Sequence, residues 1–113
     1  MRFMMIVKAT KDSESGVLPD EKLLATMGKY NQELTKAGVL LAAGGLDPRG
    51  THVTSSGGKI TVTDGPFTEA KEAIVSFALV DVRSKEEAIE LSKRFWKIVG
   101  DGEGDIHQVF GPE

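Results

Sequence analysis

The residues able to do chemistry crowd into one short stretch of this 113-residue chain. Asp64, Glu69, Lys71 and Glu72 place three acids and one base within nine residues, around a Gly65-Pro66-Phe67 turn. Carboxylates at that density suit proton transfer or the holding of a polar ligand, with Asp64 as the acid/base, Lys71 facing an anionic group and Phe67 walling the site. The same residues also make a solvated turn, in which Asp64 caps backbone amides while Glu69, Lys71 and Glu72 form an ion-paired rim. Both readings stand on the residues alone. Tyr30 and Asn31 lie mid-way along an amphipathic helix, where a tyrosine is either core, with its hydroxyl satisfied, or part of a ligand site. His107 sits in an apolar strand, as a structural histidine packed on both sides or as a ligand contact.

Other chemistries find no support. The two histidines, His52 and His107, are far apart in the chain and there is no cysteine, so no metal-ligand spacing is recognisable and no disulfide or thiolate chemistry is available. Gly44-Gly45 and Gly57-Gly58 lack the lysine and the strand-to-helix context of a phosphate loop, so no nucleotide or other cofactor is implied. The net charge is −3 with scattered lysines, which argues against direct nucleic-acid binding. No apolar run is long enough to span a membrane, and the opening Met1–Lys8 segment is too short for a signal h-region. The expected location is the cytoplasm, and the expected organisation is one domain over residues 1–113.

The elements that must position these residues follow from periodicity. A strand is expected over residues 2–9, apolar in both alternating sets, Phe3/Met5/Val7 and Met4/Ile6. A polar loop over residues 10–18 leads to a helix opening near Pro19-Asp20-Glu21, with Leu23, Met27, Tyr30 or Asn31, and Leu34 on one stripe and Gly38 at its end. Residues 39–46 form a second strand, again apolar on both faces. Residues 51–55 and 59–63 pair as a mostly polar hairpin, and residues 73–82 form the longest strand. Ser84-Lys85-Glu86-Glu87 reads as a capping box opening a helix with Ala88, Leu91, Phe95 and Ile98 or Val99 inward, and Trp96 beside Phe95 reads as core or interface packing in preference to a stacking platform. Residues 101–104 are expected as loop and residues 106–110 as the last strand.

That order is β-α-β, hairpin, β-α-β: a ferredoxin-like α+β domain with both helices on one face of an antiparallel sheet. Helices cover one face only, yet three strands are apolar on both. The cheapest cover is a second copy of the same chain, a homodimer with sheet facing sheet and a cavity for a small organic ligand between them, bordered by the Asp64–Glu72 segment and walled by Phe3, Met5, Phe67 and Phe77.

The residues also resemble a known family. Met27-Gly28-Lys29-Tyr30-Asn31-Gln32-Glu33-Leu34, Ala37–Ala42, Gly57-Gly58-Lys59, the run Thr61–Glu72 and Ser84–Glu90 are similar to the DGPF-domain proteins of the YCII-related family, over essentially the whole chain. The resemblance implies a dimeric α+β barrel. It also implies a His-Asp pair suited to proton transfer on a small molecule, with Asp64 in the acid's place and Met27 where the broader family carries the helix histidine. DGPF domains further resemble modules beside or fused to alternative sigma factors, which implies a regulatory partner. Two functions therefore compete: a ligand-binding or regulatory module, favoured by Met27, and an isomerase- or lyase-like enzyme using Asp64.

Overall fold

In the computed structural model, which describes residues 1–8, 21–47, 50–64 and 74–111, the chain runs β1 (Arg2–Lys8), α1 (Glu21–Lys36), β2 (Leu40–Gly45), β3 (Thr51–Ser56), β4 (Lys59–Asp64), β5 (Ile74–Asp81), α2 (Lys85–Val99) and β6 (Gly104–Gln108). Strands β2, β5, β1 and β6 lie side by side in that order, and every pairing in the sheet is antiparallel. This is the ferredoxin-like α+β arrangement. Strands β3 and β4 form a separate two-stranded sheet.

Local chemistry explains the boundaries. Ser84 Oγ accepts from the Glu87 amide at 3.2 Å and starts α2, while the Glu87 carboxylate takes the Arg83 amide at 3.3 Å instead of completing a reciprocal box with Ser84. Helix α1 ends in a Schellman turn at Gly38 (φ 75°), with the Val39 amide bonded to the Leu34 carbonyl at 2.9 Å and the Gly38 amide to the Thr35 carbonyl at 3.1 Å. Gly57 and Gly58 both hold positive φ, 56° and 82°, as a two-residue connection with the twist of its flanking strands requires.

The core lies between the helices and one face of the large sheet. Phe3 and Val80 from adjacent strands meet Tyr30 and Leu34 of α1 and Ala88 and Leu91 of α2, with Met5, Leu40, Phe95 and Ile106 packed around them. Because successive strand residues alternate faces, Met4 and Ile6 of β1 and Phe77 and Leu79 of β5 point to the opposite side. Neither of the described helices covers that side, and these residues are only half-buried.

Two expectations need correcting. The last strand begins at Gly104, inside the segment read as loop, because backbone pairing with Val7 asks for no strand-favouring side chain. A Cβ at Gly104 would run into the Ile6 carbonyl, so the strand needs the residue that sequence propensity counts against it. His107 is exposed, not packed on both sides, because β6 is an edge strand.

Candidate functional site

The space between the helices and the sheet is not filled. A cavity of about 490 Å³ opens there, within the range of small-molecule sites. Its walls come from both helices and all four strands of the large sheet: Leu23, Met27 and Leu34 of α1, Phe95 and Trp96 of α2, and Met5, Ala43, Ala78 and Gly104 of the sheet. The small side chains of β2 and β5 make the room. Ala43 sits opposite Ala78, and Gly45 opposite Ser76, so this part of the sheet offers little volume where the helices stand over it. Among the described residues the polar lining is sparse: Tyr30, Asn31, Ser76 and Ser92, with Asp105 at the edge, where it stands opposite Ile6 on the sheet face turned away from the helices.

The geometry limits what these groups do. The Tyr30 hydroxyl donates to the Leu91 carbonyl at 2.9 Å, tying α1 to α2, and Arg94 lies over its ring at 5.0 Å from the centroid. Burial pushes the Tyr30 hydroxyl above its ordinary pKa of 10.0, the Arg94 charge opposes that shift and the Glu33 charge adds to it. At neutral pH Tyr30 is therefore a protonated donor already committed to the backbone. Asp105 is engaged too, as its carboxylate meets Lys8 Nζ at 3.3 Å. That leaves Asn31, Ser76 and Ser92 as groups for orienting a ligand in a mostly apolar space.

Sequence reasoning did not single out Ser76, Ser92 or Asp105, and it preferred core or interface packing to a stacking platform for Trp96, which lines the cavity. Its ring meets Phe95 edge-on at 5.1 Å and lies close to Gly104. The available signal was Gly102 and Gly104, two glycines that let an indole approach the β6 backbone. Sequence reasoning also put the cavity on the uncovered sheet face, whereas the described one lies on the helix side.

The predicted site residues separate. Tyr30 and Asn31 line the cavity, and so does Met27. Asp64 ends β4, is exposed, and accepts from Thr51 Oγ1 at 2.8 Å across the ribbon. His107 lies on the sheet face turned away from the helices, opposite Met4. Phe67, Glu69, Lys71 and Glu72 fall outside the described residues.

The YCII-related domain model matches residues 1–97. The chain belongs to the YCII-related family. An uncharacterised protein of Rhizobium meliloti (strain 1021) is 32% identical over 76 residues, which are 66% of this chain and 61% of that protein's length. This YCII-related chain therefore matches less than two thirds of its curated relative. Among solved structures, 5-chloro-2-hydroxyhydroquinone dehydrochlorinase (TftG) from Burkholderia phenoliruptrix AC1100, in complex with 2,5-dihydroxybenzoquinone, superposes with a TM-score of 0.58. The superposition covers 99% of this chain and 96% of that one. At 15% identity this likeness is one of fold. No helix among the described residues is long and apolar enough to cross a membrane.

Proposed function

We propose that this YCII-related chain, a single domain of the DGPF subgroup acting in the cytoplasm, is a homodimeric module that binds a small, flat, largely apolar organic molecule between its helices and sheet. The observation carrying this reading is the cavity of about 490 Å³ with apolar walls and a few hydrogen-bonding groups. That lining favours a ring compound with one or two hydroxyl or carbonyl groups over a sugar or a multiply charged acid. The dehydrochlorinase of the same fold, complexed with a hydroxylated quinone, makes that class a sensible first screen. Asn31 and Ser92 orient the ligand, and Met27 provides a soft apolar wall where the broader family has a histidine. The homodimer rests on the uncovered apolar face of the large sheet, on which His107 supplies a polar contact.

Binding without turnover is favoured because, of the described lining residues, Tyr30 and Asp105 are the ionisable ones and both are already engaged. Ligand occupancy would then be read by a protein partner, with an alternative sigma factor as the partner the DGPF resemblance points to. The competing reading, proton-transfer catalysis by Asp64 with Phe67, Glu69, Lys71 and Glu72 around the substrate, draws on the enzymatic activity of the structural neighbour.

The test uses the chain's one tryptophan, which lines the cavity. Titration with dihydroxybenzoquinones and hydroxybenzoates should quench Trp96 fluorescence saturably, and Ala78→Phe, which fills the space, should abolish the response while the protein stays folded. Linear, non-saturating quenching equal in both proteins would refute the reading. Consumption of a bound compound by the native protein but not by Asp64→Asn would move the assignment to the enzyme.

A further inference from the structure

The β3–β4 ribbon stands apart from the layered body. All twelve of its strand residues are exposed. Residues directly opposite across the ribbon share a face, so Val53, Val62 and Ile60 lie together on one side, with Thr51, Ser55 and Asp64. The other side carries His52, Thr54, Ser56, Lys59, Thr61 and Thr63. The ribbon is amphipathic, yet its apolar residues are 59%, 63% and 68% exposed for Val53, Val62 and Ile60. An isolated two-stranded ribbon is marginal in water, and segregated faces are of use only where one is buried. The radius of gyration is 15.9 Å, against about 13 Å for a compact domain of this length.

We propose that this ribbon is an arm that crosses to a second copy of the chain and lays its Val53–Val62–Ile60 face on that copy's uncovered sheet face. The proposal rests on the homodimer reading above and adds what holds the dimer together. Area is the first argument. Four strands spaced about 4.8 Å apart, each contributing five or six residues of about 3.4 Å, present a face of roughly 350 Å². The two-stranded ribbon presents about half that area, so one arm fits within one sheet face. Under two-fold symmetry each copy gives one arm and receives one, so the pair buries two arm faces and the sheet surface beneath them.

Reach is the second argument. The arm leaves from the Gly45 end of β2 and returns at the Ile74 end of β5, and those ends lie side by side, Gly45 opposite Ser76. Its root is closed by the Thr51–Asp64 hydrogen bond, and its tip is the Gly57-Gly58 turn. Six residues of about 3.4 Å extend roughly 20 Å, which is the width of a four-stranded sheet. Chemistry is the third. The arm's valines and isoleucine match Met4, Ile6, Phe77 and Leu79 on the face they would cover, and the chain presents both surfaces itself.

The experiment is light scattering across a dilution series on the native chain, Ile60→Glu/Val62→Glu and Leu79→Glu. Both arm substitutions are at exposed positions, and circular dichroism checks that the body stays folded. The native chain should scatter as twice 12.2 kDa. The arm variant should dissociate at concentrations at least a hundredfold higher. An arm variant as dimeric as the native chain, with Leu79→Glu monomeric, would overturn the arm while leaving the sheet-to-sheet dimer standing. A native chain that stays monomeric would overturn both.

Cross-linking provides a second readout, since the chain has no cysteine. Val62→Cys mixed with Leu79→Cys and oxidised should give a disulfide-linked pair that neither gives alone. Absence of that band from a dimeric mixture would overturn the arm's placement.

Discussion

Replacing Tyr30 with Phe isolates one hydrogen bond and one ionisation. The ring, buried to 7% exposure beneath Arg94, is retained, and only the donor to the Leu91 carbonyl is lost. A neutral intramolecular hydrogen bond contributes about 1 kcal/mol net, because both partners would otherwise bond to water. For a domain of this size that corresponds to a fall in Tm of roughly 4 °C at neutral pH. The alkaline behaviour is the sharper test. Burial, the largest cause, raises the Tyr30 pKa above 10.0, so the folded state holds a proton that the unfolded chain releases first. The associated stability is fully present below pH 10.0 and is lost as pH rises through the folded-state value. The Tm gap between native protein and Tyr30→Phe should therefore narrow above that pH, while lysine titrations common to both cancel. Tyr30 is the only tyrosine, so tyrosinate absorbance in the folded protein reports its ionisation directly. A gap that stays constant into the alkaline range, or tyrosinate appearing at the ordinary value while the protein is folded, would refute the argument.

Gly104→Ala should destabilise by about 1–3 kcal/mol in a denaturant melt, since the new methyl meets the Ile6 carbonyl and crowds the Trp96 ring. The same change should weaken Trp96-detected ligand binding. Ser84→Ala removes the acceptor for the Glu87 amide and should cost about 1 kcal/mol, readable as a lower Tm. Asp64→Asn should shift stability by less than about 0.5 kcal/mol, because the carboxylate is exposed and the amide oxygen still accepts from Thr51. If Asp64 acts on a ligand, the same variant changes affinity or turnover at nearly constant Tm.

Local signals foretold most of the elements. The Ser84 cap, the Gly57-Gly58 turn and the 3.6-residue stripes of α1 and α2 each depend on a few neighbouring residues, so the helices and the hairpin fall close to where spacing puts them. The start of β6 was not legible, because Gly104 joins the sheet through backbone pairing with Val7 and not through its own propensity. Candidate-site residues divide in the same way. Tyr30 and Asn31 were visible from their place on the amphipathic stripe of α1, and both line the cavity.

By itself the sequence determined that the chain must build helices and strands in this order and that its large sheet is apolar on both sides, since period and composition are properties of neighbouring residues. Only the tertiary structure decided where volume is missing. The hollow exists because Ala43, Ala78 and Gly45 come from strands far apart in the chain and meet beneath α1 and α2. A void is a property of how distant side chains fail to fill a shared space, which no local pattern records. The same holds for the ribbon: alternation marks Val53, Val62 and Ile60 as a face to be buried, and only the fold shows that the chain's own body does not bury them.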